Sequence, residues 1–96
     1  MLIRSQNKEV LVAFEFLPDI EVSGGVISAR RDMGWCCLLG EYSTKAKAIK
    51  VLDMIQEAYS EYQIMLNFSA SYLHEFKEKT DGFAIFQMPE DSEVEA

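Results

Sequence analysis

The chain has 96 residues, of which 9 are Lys or Arg and 16 are Asp or Glu, so its formal net charge is −7. This length allows one domain with a small core, and a hydrophobic content of 49% is too high for a disordered chain. The negative charge disfavours direct binding to nucleic acid, because contacts with phosphates supply most of such affinity. No apolar run is long enough to cross a bilayer, and the first residues lack a signal-peptide pattern, so we expect a cytoplasmic protein without membrane attachment.

The first half of the chain predicts short β-strands. Runs of β-branched, aromatic and aliphatic residues alternate with turn formers as far as Tyr42. Gly24 and Gly25 are typical of a tight hairpin, because both can adopt positive φ, and Pro18 interrupts the preceding run. In that run, strand alternation places Phe14 and Phe16 on one face. Short connections favour an antiparallel meander of about five strands, at residues 2–5, 9–16, 20–23, 26–31 and 35–42.

The second half of the chain predicts a helix and one last strand. Apolar residues follow a three-four spacing over residues 44–79, and the hydroxyl of Ser43 or Thr44 can cap the start. An unbroken helix would be about 54 Å long, so we favour a break near residues 67–71, with one continuous helix as the alternative. Residues 83–88 indicate a final strand. The predicted fold class is therefore α+β.

The domain is predicted to end at residue 88. Residues 89–96 contain four acidic residues and no basic ones, which leaves a balance of −3 in residues 1–88. Val94 is the main apolar residue available to anchor this stretch, so we expect residues 89–96 to form an acidic, mobile tail.

Two groups of residues are candidates for binding. Lys45, Lys47 and Lys50 lie in the first turns of the predicted helix, where the helix dipole disfavours positive charge. Exposed lysines can tolerate this small penalty, and the alternative is that a neighbouring group offsets it. With Arg30 and Arg31 they form a candidate basic patch for a phosphate, an acidic partner or the acidic tail of another copy. The aromatic residues of the helical half suit a protein interface. These interface candidates are Tyr59, Tyr62, Phe68, Tyr72 and Phe76.

Patterns for catalysis and for metal or cofactor binding are missing from the sequence. There is no phosphate-binding glycine loop and no nucleophile elbow. Cys36 and Cys37 are adjacent, so they cannot hold one metal from a strand, and we expect each to be a small buried residue. His74 is expected to be an exposed helix residue. We therefore predict no catalytic residues, no cofactor and no metal site.

Several segments resemble a family of small uncharacterised proteins from Firmicutes and their phages. They are residues 1–6, residues 39–45 (LGEYSTK), residues 48–55 (AIKVLDMI) and residues 86–91 (FQMPED). Residues 63–81 depart from the family pattern and have the character of a longer insertion. The resemblance implies a bacterial or phage origin and a strand-rich scaffold, and it carries no activity and no catalytic residues.

Two functions fit these observations. The first is a non-catalytic protein-interaction module that self-associates as a homo-oligomer, because the helical half carries more apolar surface than a short sheet can cover. The alternative is an acidic phage-type inhibitor that occupies a host nucleic-acid-binding protein by imitating phosphate charge.

Overall fold

The computed structural model describes residues 1–30, 36–68 and 85–95, with the backbone alone for residues 67 and 68. These residues form one helix and two three-stranded sheets, which confirms the α+β class. The expected break near residues 67–71, the helical residues from 69 to 79 and the strand residues 83 and 84 lie outside the described residues or at their edge. The elements in chain order are β1 (Leu2–Arg4), β2 (Leu11–Ala13), β3 (Asp19–Ser23), β4 (Val26–Arg30), β5 (Cys36–Glu41), α1 (Lys45–Phe68) and β6 (Ile85–Gln87).

The first sheet has the strand order β2-β1-β6. β1 and β2 form an antiparallel hairpin, as expected for the first two strands of the meander, with Ile3 opposite Val12. Ser5 closes this hairpin, since its N–H donates to the Val10 carbonyl at 2.8 Å and its Oγ accepts from the Val10 N–H at 3.1 Å. The last strand, β6, lies parallel to β1, with Phe86 opposite Ile3. A parallel pair needs a long crossover connection, and α1 forms part of it.

β2 is shorter than predicted because the chain turns at Phe14–Phe16, which form one turn of 3₁₀-helix. The Phe14 N–H donates to the Met1 carbonyl at 2.9 Å, and strand alternation stops there. Phe14 therefore packs against the core, whereas the Phe16 side chain is 84% exposed. The expectation that the two rings share one face was wrong. The turn and Pro18 also separate β2 from β3, so the expected meander is divided between two sheets.

The second sheet has the antiparallel order β3-β4-β5. The predicted glycine turn joins β3 to β4, with Gly24 at a φ of 61°. Gly25 lies against the chain that leaves β5, where the Tyr42 N–H donates to the Gly25 carbonyl at 2.7 Å. A Cβ atom on Gly25 would lie 2.0 Å from the Tyr42 carbonyl oxygen, so this close approach requires glycine.

The helix α1 begins beside this turn. Thr44 Oγ1 accepts a hydrogen bond from the Lys47 N–H at 3.2 Å, which confirms the predicted cap and identifies its residue. Ala48, Val51 and Ile55 are at most 1% exposed and pack the first half of α1 onto the domain. In the described part of the chain, no helix combines the length and hydropathy needed to span a membrane. The other buried core residues are Met1, Ile3, Val12, Ile27, Ala29, Leu39, Tyr42, Met88 and Val94.

Gln6 joins the two sheets. Its backbone N–H donates to the Leu39 carbonyl at 2.7 Å. Its side-chain amide pairs with Glu41 as a neighbouring strand would, since Oε1 accepts from the Glu41 N–H at 2.9 Å and Nε2 donates to the Glu41 carbonyl at 3.1 Å. The end of β1 is therefore fixed to the edge of β5, close to the start of α1.

Candidate functional site

The structure separates the members of the predicted basic patch. Arg30 lies at the end of β4 that pairs with Cys36, away from the glycine turn where α1 begins. Its guanidinium pairs with Glu21 on β3, with 3.1 Å between Nη2 and Oε1. Lys45 is exposed, and Arg31 lies outside the described residues. Arg30 is therefore not part of one surface with the lysines of α1.

Lys47 and Lys50 instead contact residues 89–95, which we call the acidic segment. The composition of this segment predicts a mobile tail, whereas the structure packs it against the start of α1. Val94 is only 4% exposed and belongs to the core. Glu90 and Glu93 cap each other around a short 3₁₀-helix, Asp91–Glu93. One buried aliphatic side chain and several hydrogen bonds hold the segment, although it has little apolar surface of its own.

Asp91 is the charged centre of this contact. Its Oδ1 accepts a hydrogen bond from the Ser43 N–H at 2.7 Å. Lys47 Nζ donates to the Asp91 carbonyl at 3.1 Å and lies 3.5 Å from Oδ2. The hydrogen bond from the Ser43 backbone, with a contribution from Lys47, holds the pKa of the Asp91 carboxyl below its usual value. The Asp91 carboxylate lies just before the first turn of α1, so it also offsets the unfavourable interaction between the helix dipole and the lysines there.

Further contacts fix the two ends of the acidic segment. At one end, the Tyr42 hydroxyl donates to the Pro89 carbonyl at 2.7 Å, and Gln6 Nε2 donates to the same carbonyl at 3.2 Å. At the other end, Lys50 Nζ donates to the Glu95 carbonyl. Burial, together with the carboxylates of the segment, raises the pKa of Tyr42 to about 12. The phenol is therefore neutral at ordinary pH and keeps its proton for the bond to Pro89.

Two of the predicted interface residues have side chains within the described part of the chain. Tyr59 and Tyr62 are half-buried on α1, with ring centroids 6.2 Å apart. Tyr59 also packs on Phe14 with a centroid separation of 4.4 Å, so it already has one partner within the chain. The side chains of Phe68, Tyr72 and Phe76 lie outside the described residues.

A cleft of about 310 Å³ opens between α1 and the chain that leads into β3. Phe16 projects from the turn whose neighbouring residues line this cleft. Neither feature was predicted from the sequence, because the predicted strand 9–16 extended through the turn. The only local signal was a phenylalanine pair close to Pro18. We call the cleft together with Phe16 the aromatic face; the apolar lining consists of Phe14, Leu17, Pro18, Ile20, Leu52, Ile55 and Tyr59, and the polar lining of Asp19, Gln56 and Ser60.

Groups suited to metal binding are not gathered in the described ranges. Within residues 1–30, 36–68 and 85–95, no three His, Cys, Asp or Glu side chains lie together in a way that could hold an ion. Cys36 is exposed and Cys37 is half-buried, so the expectation of burial was wrong for Cys36. Its position at the start of β5, opposite the exposed Arg30, explains the difference. His74 lies outside the described residues.

Comparisons with known proteins do not add a family. No protein-family model, no curated protein and no solved structure matches the chain.

Proposed function

We propose that this protein is a non-catalytic protein-interaction module that self-associates through the aromatic face. The observation that carries the proposal is Phe16, whose side chain is 84% exposed beside an apolar cleft. Burying a phenylalanine side chain is worth roughly 1.5–3 kcal/mol relative to leaving it in water. A partner that covers Phe16 therefore gains this free energy, which the isolated chain does not use.

A second copy of the chain is the partner that the face fits best. In the aromatic face, the exposed ring of Phe16 belongs to the same turn as Phe14 and Leu17, which line the cleft together with residues of α1. In a two-fold dimer the same surface patch of both subunits forms the interface. The Phe16 ring of each subunit can therefore enter the cleft of the other subunit. Tyr59 and Ile20 at the cleft are typical of the apolar centre of an interface, where aromatic residues are enriched.

The alternative function, an acidic inhibitor of a nucleic-acid-binding protein, receives less support. Such an inhibitor needs an array of carboxylates that faces outwards. In the acidic segment, Asp91 is bound to Ser43 and Lys47, and Glu90 and Glu93 hydrogen-bond to the segment's own backbone. The bacterial or phage origin and the cytoplasmic location suggested by the sequence remain predictions.

The test compares two matched substitutions by sedimentation equilibrium. Phe16→Ser removes the projecting ring, and Leu11→Ser makes the same kind of change at a 53% exposed residue of β2, outside the lining of the cleft. We expect the intact chain and the Leu11→Ser variant to form dimers as concentration rises, and the Phe16→Ser variant to stay monomeric. Both residues are exposed, so neither change should alter the circular dichroism spectrum.

Two results would contradict the proposal. One is an intact chain that remains monomeric at several hundred micromolar, a concentration at which even a weak specific dimer is populated. The other is equal dimerisation of the Phe16→Ser variant and the intact chain, which would place the contact elsewhere.

A further inference from the structure

The acidic segment lies on the domain as a bound peptide would. It is held at three separate points, namely the Pro89 carbonyl, the Asp91 carboxylate and the Val94 side chain. We call the surface that receives it the peptide groove. The groove consists of Gln6, Tyr42, Ser43, Lys47 and Lys50 with the core hole that holds Val94.

The groove selects a definable chemistry. The Asp91 carboxylate is bound by the Ser43 N–H and the Lys47 ammonium group. This position therefore requires an acidic residue whose side chain is short enough to reach Ser43. Three residues later, the core hole requires an aliphatic side chain the size of Val94. Tyr42 and Gln6 bind a backbone carbonyl, which any residue supplies. The groove therefore recognises the pattern Asp-x-x-Val in an extended or 3₁₀ segment.

The chain's own segment can leave without disturbing the sheets. Met88, which precedes it, is 1% exposed and its N–H donates to the Arg4 carbonyl at 3.0 Å, so β6 is anchored before the segment begins. Ordering residues 89–95 costs conformational entropy, and one buried valine with a few half-exposed polar contacts outweighs this cost by only a small margin. Segments with so few buried contacts open far more readily than the core does.

We propose that the peptide groove is a binding site for an acidic peptide with the pattern Asp-x-x-Val on another protein. The chain's own acidic segment is then the competing occupant that closes the groove. This site lies at the start of α1 and shares no residue with the aromatic face, so the proposal does not depend on self-association.

Fluorescence anisotropy with a labelled peptide of residues 88–96 tests the proposal on the full-length chain. In the intact chain the internal segment competes, so the apparent affinity is reduced by the fraction of open molecules. The Val94→Ala variant removes two methyl groups from the internal segment, so the segment binds the groove less tightly. The residues of the groove itself are unchanged. We expect this variant to bind the peptide about tenfold more tightly than the intact chain does. The Asp91→Ala variant opens the groove by a second route and replaces Val94→Ala if that variant is not folded.

Lysine substitutions separate specific binding from simple charge attraction. In the opened chain, Lys47→Ala should abolish the gain in affinity, because Lys47 contacts Asp91. Lys45→Ala should retain the gain. Lys45 is exposed and lies in the same turn, so this variant is the matched control for the loss of one positive charge. A peptide with alanine in the place of Asp91 should not bind. The proposal is overturned if a folded, opened variant binds no better than the intact chain, or if Lys45→Ala and Lys47→Ala weaken binding equally.

Discussion

Replacing Gly25 by alanine should break the junction between the glycine turn and the start of α1. The new Cβ would lie 2.0 Å from the Tyr42 carbonyl oxygen and 3.1 Å from its carbon, both backbone atoms. Ordinary contact begins at about 3.4 Å. The two chain segments must therefore separate by more than an ångström, which breaks the 2.7 Å hydrogen bond between the Tyr42 N–H and the Gly25 carbonyl.

The cost of Gly25→Ala combines two effects. A hydrogen bond contributes about 0.5–1.5 kcal/mol, and forcing atoms into a packed region costs typically 1–3 kcal/mol. We therefore expect the free energy of unfolding to fall by roughly 2–4 kcal/mol. This is a large part of the roughly 5–15 kcal/mol that stabilises a domain. Tyr42 also holds Pro89, so the acidic segment should loosen in this variant.

Gly24→Ala is the matched control for this prediction. A Cβ on Gly24 meets nothing within 4 Å, and the only penalty is its φ of 61°. The left-handed conformation costs alanine about 1–2 kcal/mol. Urea unfolding followed by far-ultraviolet circular dichroism compares both variants with the intact chain. Equal losses for the two variants would refute the reasoning, because the close approach of Tyr42 would then have no energetic effect.

Three further results are expected from the cap and the acidic segment. Thr44→Ala removes the cap of α1 and should lower the free energy of unfolding by about 1 kcal/mol in the same urea assay; no loss would mean that another group replaces it. Because the folded pKa of Asp91 is lowered, its contribution to stability is present above the ordinary aspartate pKa, near 4, and is lost as pH falls through the folded pKa. The difference in unfolding free energy between the intact chain and Asp91→Asn should therefore shrink on acidification, and a constant difference would contradict this. Because the folded pKa of Tyr42 is raised from 10.0 to about 12, its contribution is present below pH 10 and is lost as pH rises towards 12. Ultraviolet titration should show one late-ionising tyrosine that is missing in Tyr42→Phe, and identical titration curves would exclude it.

The sequence predicted the features that depend on neighbouring residues. The glycine turn between β3 and β4 follows from two adjacent residues that tolerate positive φ. The start of α1 follows from a hydroxyl at Thr44 ahead of an apolar three-four pattern, and Ala48, Val51 and Ile55 are buried on the predicted face. These signals are local, so one sequence is sufficient to read them.

The sequence did not predict the features that depend on distant partners. The turn at Phe14–Phe16 is fixed by a hydrogen bond to the Met1 carbonyl. β6 pairs in parallel with β1, from which it is separated by most of the sequence. The acidic segment has one apolar anchor, and its polar contacts with the rest of the domain join residues more than 40 positions apart, such as Ser43 with Asp91. Composition identified the charge of this segment but not the surface that binds it.

The side chain of Gln6 has a consequence for how copies of this protein can meet. Sheets whose edge strands carry unpaired backbone N–H and C=O groups tend to pair edge to edge and to grow into aggregates. Where β5 ends, the backbone N–H and carbonyl of Glu41 are already taken by the Gln6 amide, which is tethered to the first sheet. A second chain therefore cannot pair a strand with Glu41 unless it displaces the Gln6 side chain. One amide thus disfavours strand pairing at this end of β5.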